Sequence, residues 1–154
     1  KNRFSIRRYM FILKVNHKAV LRDILNGNPS GIVRDFVCND NPTNRLEELV
    51  YYAYNEQIKN SKVFIEVKFA SKYSSREKRL ELVTIKDDVI SIFKVSASNR
   101  FDKDAIELKR IIDEVNEEVK SNYHIRGVLK IKPSSDVERI KKMLESMNID
   151  IMVE

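Results

Sequence analysis

The spacing of apolar residues changes repeatedly along this chain, and each change marks an element boundary. Arg7 to Val15 is dense in apolar residues and reads as a strand, while His17 to Leu25 reads as a short helix stopped by Asn26-Gly27-Asn28-Pro29. Cys38 to Asn44 is rich in turn formers, and Thr43 or Asn44 can cap the helix that follows. That helix is expected from Arg45 to about Asn60, since Leu46, Leu49, Val50, Ala53 and Tyr54 recur at helical spacing. The period then drops to two: Val63, Ile65, Val67 and Phe69 alternate with Phe64, Glu66 and Lys68, as in a strand with one apolar face. Leu80 to Ile85 and Val89 to Ala97 read as further strands, with Lys86-Asp87-Asp88 suited to a tight hairpin between them. Phe101 opens a helix to about Asn122, with Ala105, Ile106, Leu108, Ile111, Ile112, Val115 and Val119 in one stripe. A strand from Ile125 to Ile131, a stop at Pro133-Ser134-Ser135-Asp136, a helix from Val137 to Met147 and a short strand from Asp150 to Val153 complete the pattern.

This order predicts an α/β or α+β fold, a central mixed sheet with a helix-β-β-β-helix-β core flanked by helices. Residues 1–154 are expected to form one domain, with 43–154 as its α/β core and 1–42 as a basic N-terminal extension or subdomain. At 154 residues the chain is long enough to bury a core without disulfides or a structural metal. Cys38 is the only cysteine, which removes disulfide frameworks and thiolate zinc sites and points to an inert, semi-buried thiol. With three glycines (Gly27, Gly31 and Gly127), neither a glycine-rich dinucleotide turn nor a P-loop can be written. His17 and His124 lie far apart and beside no obvious nucleophile, which argues against a Ser-His-Asp engine. No apolar run approaches the roughly 18 residues needed to span a bilayer, so a soluble, intracellular (cytoplasmic) protein without membrane partners is expected.

Charge changes the picture more than composition does. The formal net charge is +6, and all of the excess lies in residues 1–77, with 14 Lys and Arg against 8 Asp and Glu; residues 78–154 carry 15 of each. Arg3, Arg7 and Arg8 belong to an N-terminal stretch whose only acid before residue 35 is Asp23. Lys72, Tyr73, Arg76, Lys78 and Arg79 form a second cluster, with hydroxyls and a tyrosine among the cations. Both clusters suit phosphate contacts with nucleic acid, which need only generic neutralisation of backbone charge. A solvated basic surface that maintains solubility is the alternative.

Between these clusters lies the chemistry. If the first two central strands pair with Lys68 opposite Glu81, and the next two with Glu81 opposite Lys94, then Glu66, Lys68, Glu81 and Lys94 share one sheet face. Two carboxylates can hold a divalent ion, and a lysine beside it can orient an attacking water. The same residues could equally form a charge ladder on a solvent-facing sheet.

The stretch from Arg79 to Lys94, preceded by a helix and a strand and followed by a helix and the Ile125-to-Leu129 strand, resembles the hairpin of the PD-(D/E)xK restriction-endonuclease-like superfamily. The resemblance implies a Mg²⁺- or Mn²⁺-dependent DNA nuclease with Glu81 as the first acid and Lys94 as the lysine. The family's second acid would fall on Ile92, so an ion would have to recruit Glu66, Glu47 or Glu48, or Asp87 or Asp88. The Gln-x-x-x-Tyr helix motif of some branches would fall on Glu107 and Ile111 and is absent. Glu66-Val67-Lys68 is a rival acid-x-lysine triplet, set aside because a helix directly precedes its strand and leaves no earlier strand to carry the first acid. The expected partners are nucleic acid, DNA ahead of RNA, with a second copy of the chain as a further candidate. An inactive nucleic-acid-binding module of the same fold and an assembly subunit that docks on a protein are the alternatives.

Overall fold

The computed structural model describes residues 10–71, 76–97, 99–131, 137–147 and 149–153. Among these, the order is β1 (Met10–His17), α1 (Leu21–Leu25), β2 (Ile32–Asn39), α2 (Arg45–Gln57), β3 (Lys62–Ala70), β4 (Glu77–Lys86), β5 (Val89–Val95), α3 (Phe101–Glu118), β6 (His124–Ile131), α4 (Val137–Ser146) and β7 (Ile149–Val153). The strands form one seven-stranded mixed sheet in the order β2-β1-β3-β4-β5-β6-β7, so the fold is mixed α+β. β1 with β2, β3 with β4 and β4 with β5 are antiparallel; β1 with β3, β5 with β6 and β6 with β7 are parallel.

Because the central strands are apolar on both sides, helices cover both faces of the sheet. On one, Leu108 and Val115 of α3 and Ile140 of α4 pack with Ile90, Ile92 and Leu129, and α1 joins through Leu21 and Ile24. On the other, Leu49, Val50 and Ala53 of α2 pack with Leu13, Val15, Ile65 and Leu82. Beyond the sheet's middle, the side of the antiparallel β1–β2 pair turned away from α2 leaves Ile12, Val33 and Val37 exposed. Among the described residues, no helix is long and apolar enough to cross a membrane.

Several boundaries differ from expectation. β1 extends through His17, and Lys18, at φ 61°, turns the chain, so the expected helix from His17 shrinks to Leu21–Leu25. β2 is a strand that the pattern does not flag, since Ile32-Val33-Arg34-Asp35-Phe36-Val37 pairs apolar and charged doublets in neither period. As an edge strand it is mostly exposed, and little burial is needed of it. α2 and α3 end at Gln57 and Glu118, a few residues earlier than expected.

The largest departure is inside β3. Val63 and Ile65 pack under α2, but Val67 and Phe69 pack with the α3 core, so the expected single apolar face is divided between two. The inversion falls at Glu66, whose φ of 54° is rare for a residue with a side chain. β4 inverts at the same level of the ladder: Leu80 and Val83 join the α3 core and Leu82 the α2 core. The rungs Ile65↔Leu82 and Val67↔Leu80 flank the break, with Glu66 and Glu81 between them.

Candidate functional site

The N-terminus of α2 is fixed by Asn44, whose side chain accepts from the Glu47 N–H. The Glu47 carboxylate closes the cap by accepting from Thr43 at 2.7 Å and Asn44 at 2.9 Å, and it also takes Asn39 at 3.0 Å. Glu47, expected as a metal ligand, is therefore a capping residue. The cap orients Arg45 across the sheet towards the place where β4 and β5 part, the last paired rung being Leu82↔Phe93. There Arg45 grips Glu81 in a two-pronged bond, Nε to Oε2 at 2.7 Å and Nη2 to Oε1 at 2.8 Å. The same guanidinium donates to Glu48 at 3.1 Å and to the Val95 carbonyl at 2.9 Å.

Glu66 is held elsewhere. It accepts from His17 Nε2 at 2.8 Å and from Arg79 at 3.2 Å, while Arg34 donates to His17 Nδ1 at 3.2 Å. The hydrogen bond from His17 is the main cause holding the Glu66 carboxyl below its ordinary range, with burial opposing it. His17 sits on β1, which pairs directly with β3, so an earlier strand does lie beside Glu66-Val67-Lys68 although a helix directly precedes that triplet's strand in sequence.

The expected register is also corrected. Lys68 lies opposite Arg79, not Glu81. Ile90 and Ile92 face the α3 core, and Lys94, two residues on, pairs with Glu107 of α3 at 3.7 Å. Glu66, Lys68, Glu81 and Lys94 do not share one face, because the inversion at Glu66 and Glu81 breaks the alternation on which that reading depended.

Glu81 and Lys94 nevertheless line the same hollow, together with Lys78, Arg79 and Glu107, and the buried Ile92 lies at its base. A second, more open hollow of about 370 Å³ adjoins it through Lys78 and Glu107 and adds Arg100, Lys103 and Arg110 from the α3 side. Six cations and two carboxylates thus border the two adjoining hollows. Some are paired at the walls, Lys78 with Glu114 at 2.9 Å and Arg79 with Glu66 at 3.2 Å. Lys103 and Arg110 are exposed and form no ion pair with another described residue.

As a divalent-ion site the donors do not fit as they stand. Both Glu81 oxygens are taken by Arg45, and Glu66 and Glu47 are engaged by separate partners. Among the described residues, no three His, Cys, Asp or Glu side chains group in a way that could hold an ion. Of the expected nucleic-acid contacts, Lys78 and Arg79 line the cleft and Arg76 is exposed at the start of β4, while Arg3, Arg7, Arg8, Lys72 and Tyr73 lie outside the described residues. Cys38 is buried, and burial pushes its thiol pKa up, as suits an inert residue. Sequence reasoning missed Arg45, Arg100, Lys103 and Arg110; the last three recur along one helix face, a basic stripe that the balanced charge of residues 78–154 concealed. Set against known proteins, the chain matches no family model, no curated protein and no solved structure.

Proposed function

We propose that the protein binds nucleic acid through the cleft between α3 and the β4–β5 hairpin. The observation that carries this reading is the gathering of Lys78, Arg79, Lys94, Arg100, Lys103 and Arg110 around two adjoining hollows that share Lys78 and Glu107. A polyanion threading them meets cations from a strand and from a helix, and the unpaired Lys103 and Arg110 are the natural first phosphate contacts. Duplex and single-stranded DNA oligonucleotides, titrated by fluorescence anisotropy from about 50 to 200 mM salt, test the proposal. Binding should weaken with salt, and replacing Lys103 and Arg110 with Glu together should lower affinity at least about tenfold and flatten the salt slope by about 1–2. Salt-independent binding, or a double variant that binds like wild type, would overturn it.

A second reading, a restriction-endonuclease-like nuclease using Mg²⁺ or Mn²⁺, draws support from the run α2-β3-β4-β5-α3-β6 and from Glu81 and Lys94 lining one cleft. Arg45 would have to release Glu81 for this to operate, and Ile92 supplies no second acid. We therefore favour a binding module that retains this arrangement without the metal. Incubating DNA with each metal, beside a Glu81→Ala control, separates the two: cutting that the variant loses supports the nuclease.

A further inference from the structure

On the opposite side of the sheet, under α2, lies a lysine with no direct acidic partner among the described residues. Lys130 of β6 is only 9% exposed, and its ammonium sits 4.2 Å above the Tyr52 ring. It forms no ion pair or hydrogen bond with another described residue. A largely buried ammonium seated on an aromatic face, with no direct carboxylate contact among the described residues, is placed to take an anionic partner from the adjoining cleft. The amine borders a cleft of about 460 Å³ between α2 and the segment 40–42, within the usual range for small-molecule sites. Its other walls include Asp40, Asn41, Glu48, Tyr51 and Asn55.

These walls define a ligand. The amine calls for an anionic group. Asn41 and Asn55 can each donate and accept, and Asp40 can accept from a hydroxyl or amino group. Glu48 is already held by Arg45 at 3.1 Å, so it does not compete for the amine. Tyr51, half-buried and edge-on to Tyr52, offers a flat apolar wall. We propose that this cleft binds a small organic anion carrying a planar ring and hydroxyl or amino donors, the class of nucleoside 5′-monophosphates, with its anionic group on Lys130. This site is independent of the nucleic-acid cleft.

Burial holds the Lys130 amine below the usual lysine range, Glu56 opposing this and Lys59 adding to it. Asp40 and Glu48 in the walls and the Tyr51 and Tyr52 phenols are the other titratable groups around it. A bound anion favours the ammonium, so affinity should fall as pH rises through the titration of the amine, and binding there should take up protons.

Titration calorimetry of the full chain with adenosine 5′-monophosphate, adenosine and inorganic phosphate tests the proposal. The monophosphate should bind at least about tenfold tighter than adenosine or phosphate alone, and Lys130→Met should remove that preference. Lysine-selective NMR provides a readout without a variant: the Lys130 side-chain resonance should move on adding the monophosphate, and its titration should shift upward. Equal binding of the monophosphate and adenosine, binding of phosphate as tight as the monophosphate, no binding of any probe, or an unmoved Lys130 resonance would each overturn the proposal.

Discussion

Replacing Arg45 with Met is expected to destabilise the protein more than replacing its partner, Glu81→Gln. Arg45 makes four side-chain bonds: two to Glu81, one to Glu48 and one to the Val95 carbonyl. Its side chain is 50% exposed, whereas those of Glu81 and Glu48 are 20% and 23% exposed. An exposed pair would contribute at most about 1 kcal/mol. The two-pronged geometry and the shielded carboxylates raise the expected Arg45–Glu81 coupling to about 1–2 kcal/mol. The asymmetry comes from what each change leaves behind. Without Arg45, two shielded carboxylates face each other with no cation between them, at about 2–4 kcal/mol. Without the Glu81 charge, Arg45 still has Glu48 and Val95, at about 1–2 kcal/mol. For a chain of this size the Arg45→Met loss corresponds to a Tm lower by about 5–10 °C. A double-mutant cycle by urea unfolding measures the coupling. A coupling below about 0.5 kcal/mol, or a Glu81→Gln loss as large as that of Arg45→Met, would refute the reasoning.

Two further predictions concern residues that shape the sheet. Glu66→Gln should cost about 1–2 kcal/mol near pH 7, because a charge-assisted bond from His17 is weakened. Since the folded pKa of Glu66 is depressed, its stabilisation is complete above the unfolded carboxylate value of about 4.3 and is lost as pH falls through the lower folded value. Urea unfolding from pH 7 to pH 3 should therefore show the gap between wild type and variant closing on the acid side; a gap of constant size would contradict the assignment. Gly127→Ala should cost about 1–3 kcal/mol, because a Cβ there would run into the Ile112 side chain and come within 3.1 Å of Leu108, pressing β6 off α3. Thermal unfolding checks this, and an unchanged Tm would show that the packing at this point has room to give.

The helices and the central strands were legible because each carries a long periodic signal and the residues that punctuate it. Asn44 is a case in point: with Thr43 it is one of two candidate caps ahead of the α2 stripe, and the structure places the cap at Asn44. β2 was not legible, since an edge strand with little burial is under little pressure to alternate. The inversion at Glu66 was hidden because Val63, Ile65, Val67 and Phe69 satisfy a two-residue rhythm whichever side each meets. Its only trace is the presence of apolar residues at adjacent positions, Phe64 in β3 and Leu82-Val83 in β4, which a one-faced strand does not need. Glu81 and Lys94 could be placed beside each other from the hairpin they share. Arg45 could not, because it lies 36 residues from Glu81 and meets it only through the packing of α2 on the sheet.

The crossing of apolar residues from one side of β3 and β4 to the other governs how the molecule comes apart. Strands that feed both helical layers cannot release one while retaining the other, so α2 and α3 should be lost in a single cooperative transition. The β1–β2 pair stands outside this bond, since its buried apolar side chains serve the α2 layer and its far side has no cover among the described residues. Its amides should be the first in the sheet to exchange with deuterium, ahead of those in β4 and β5.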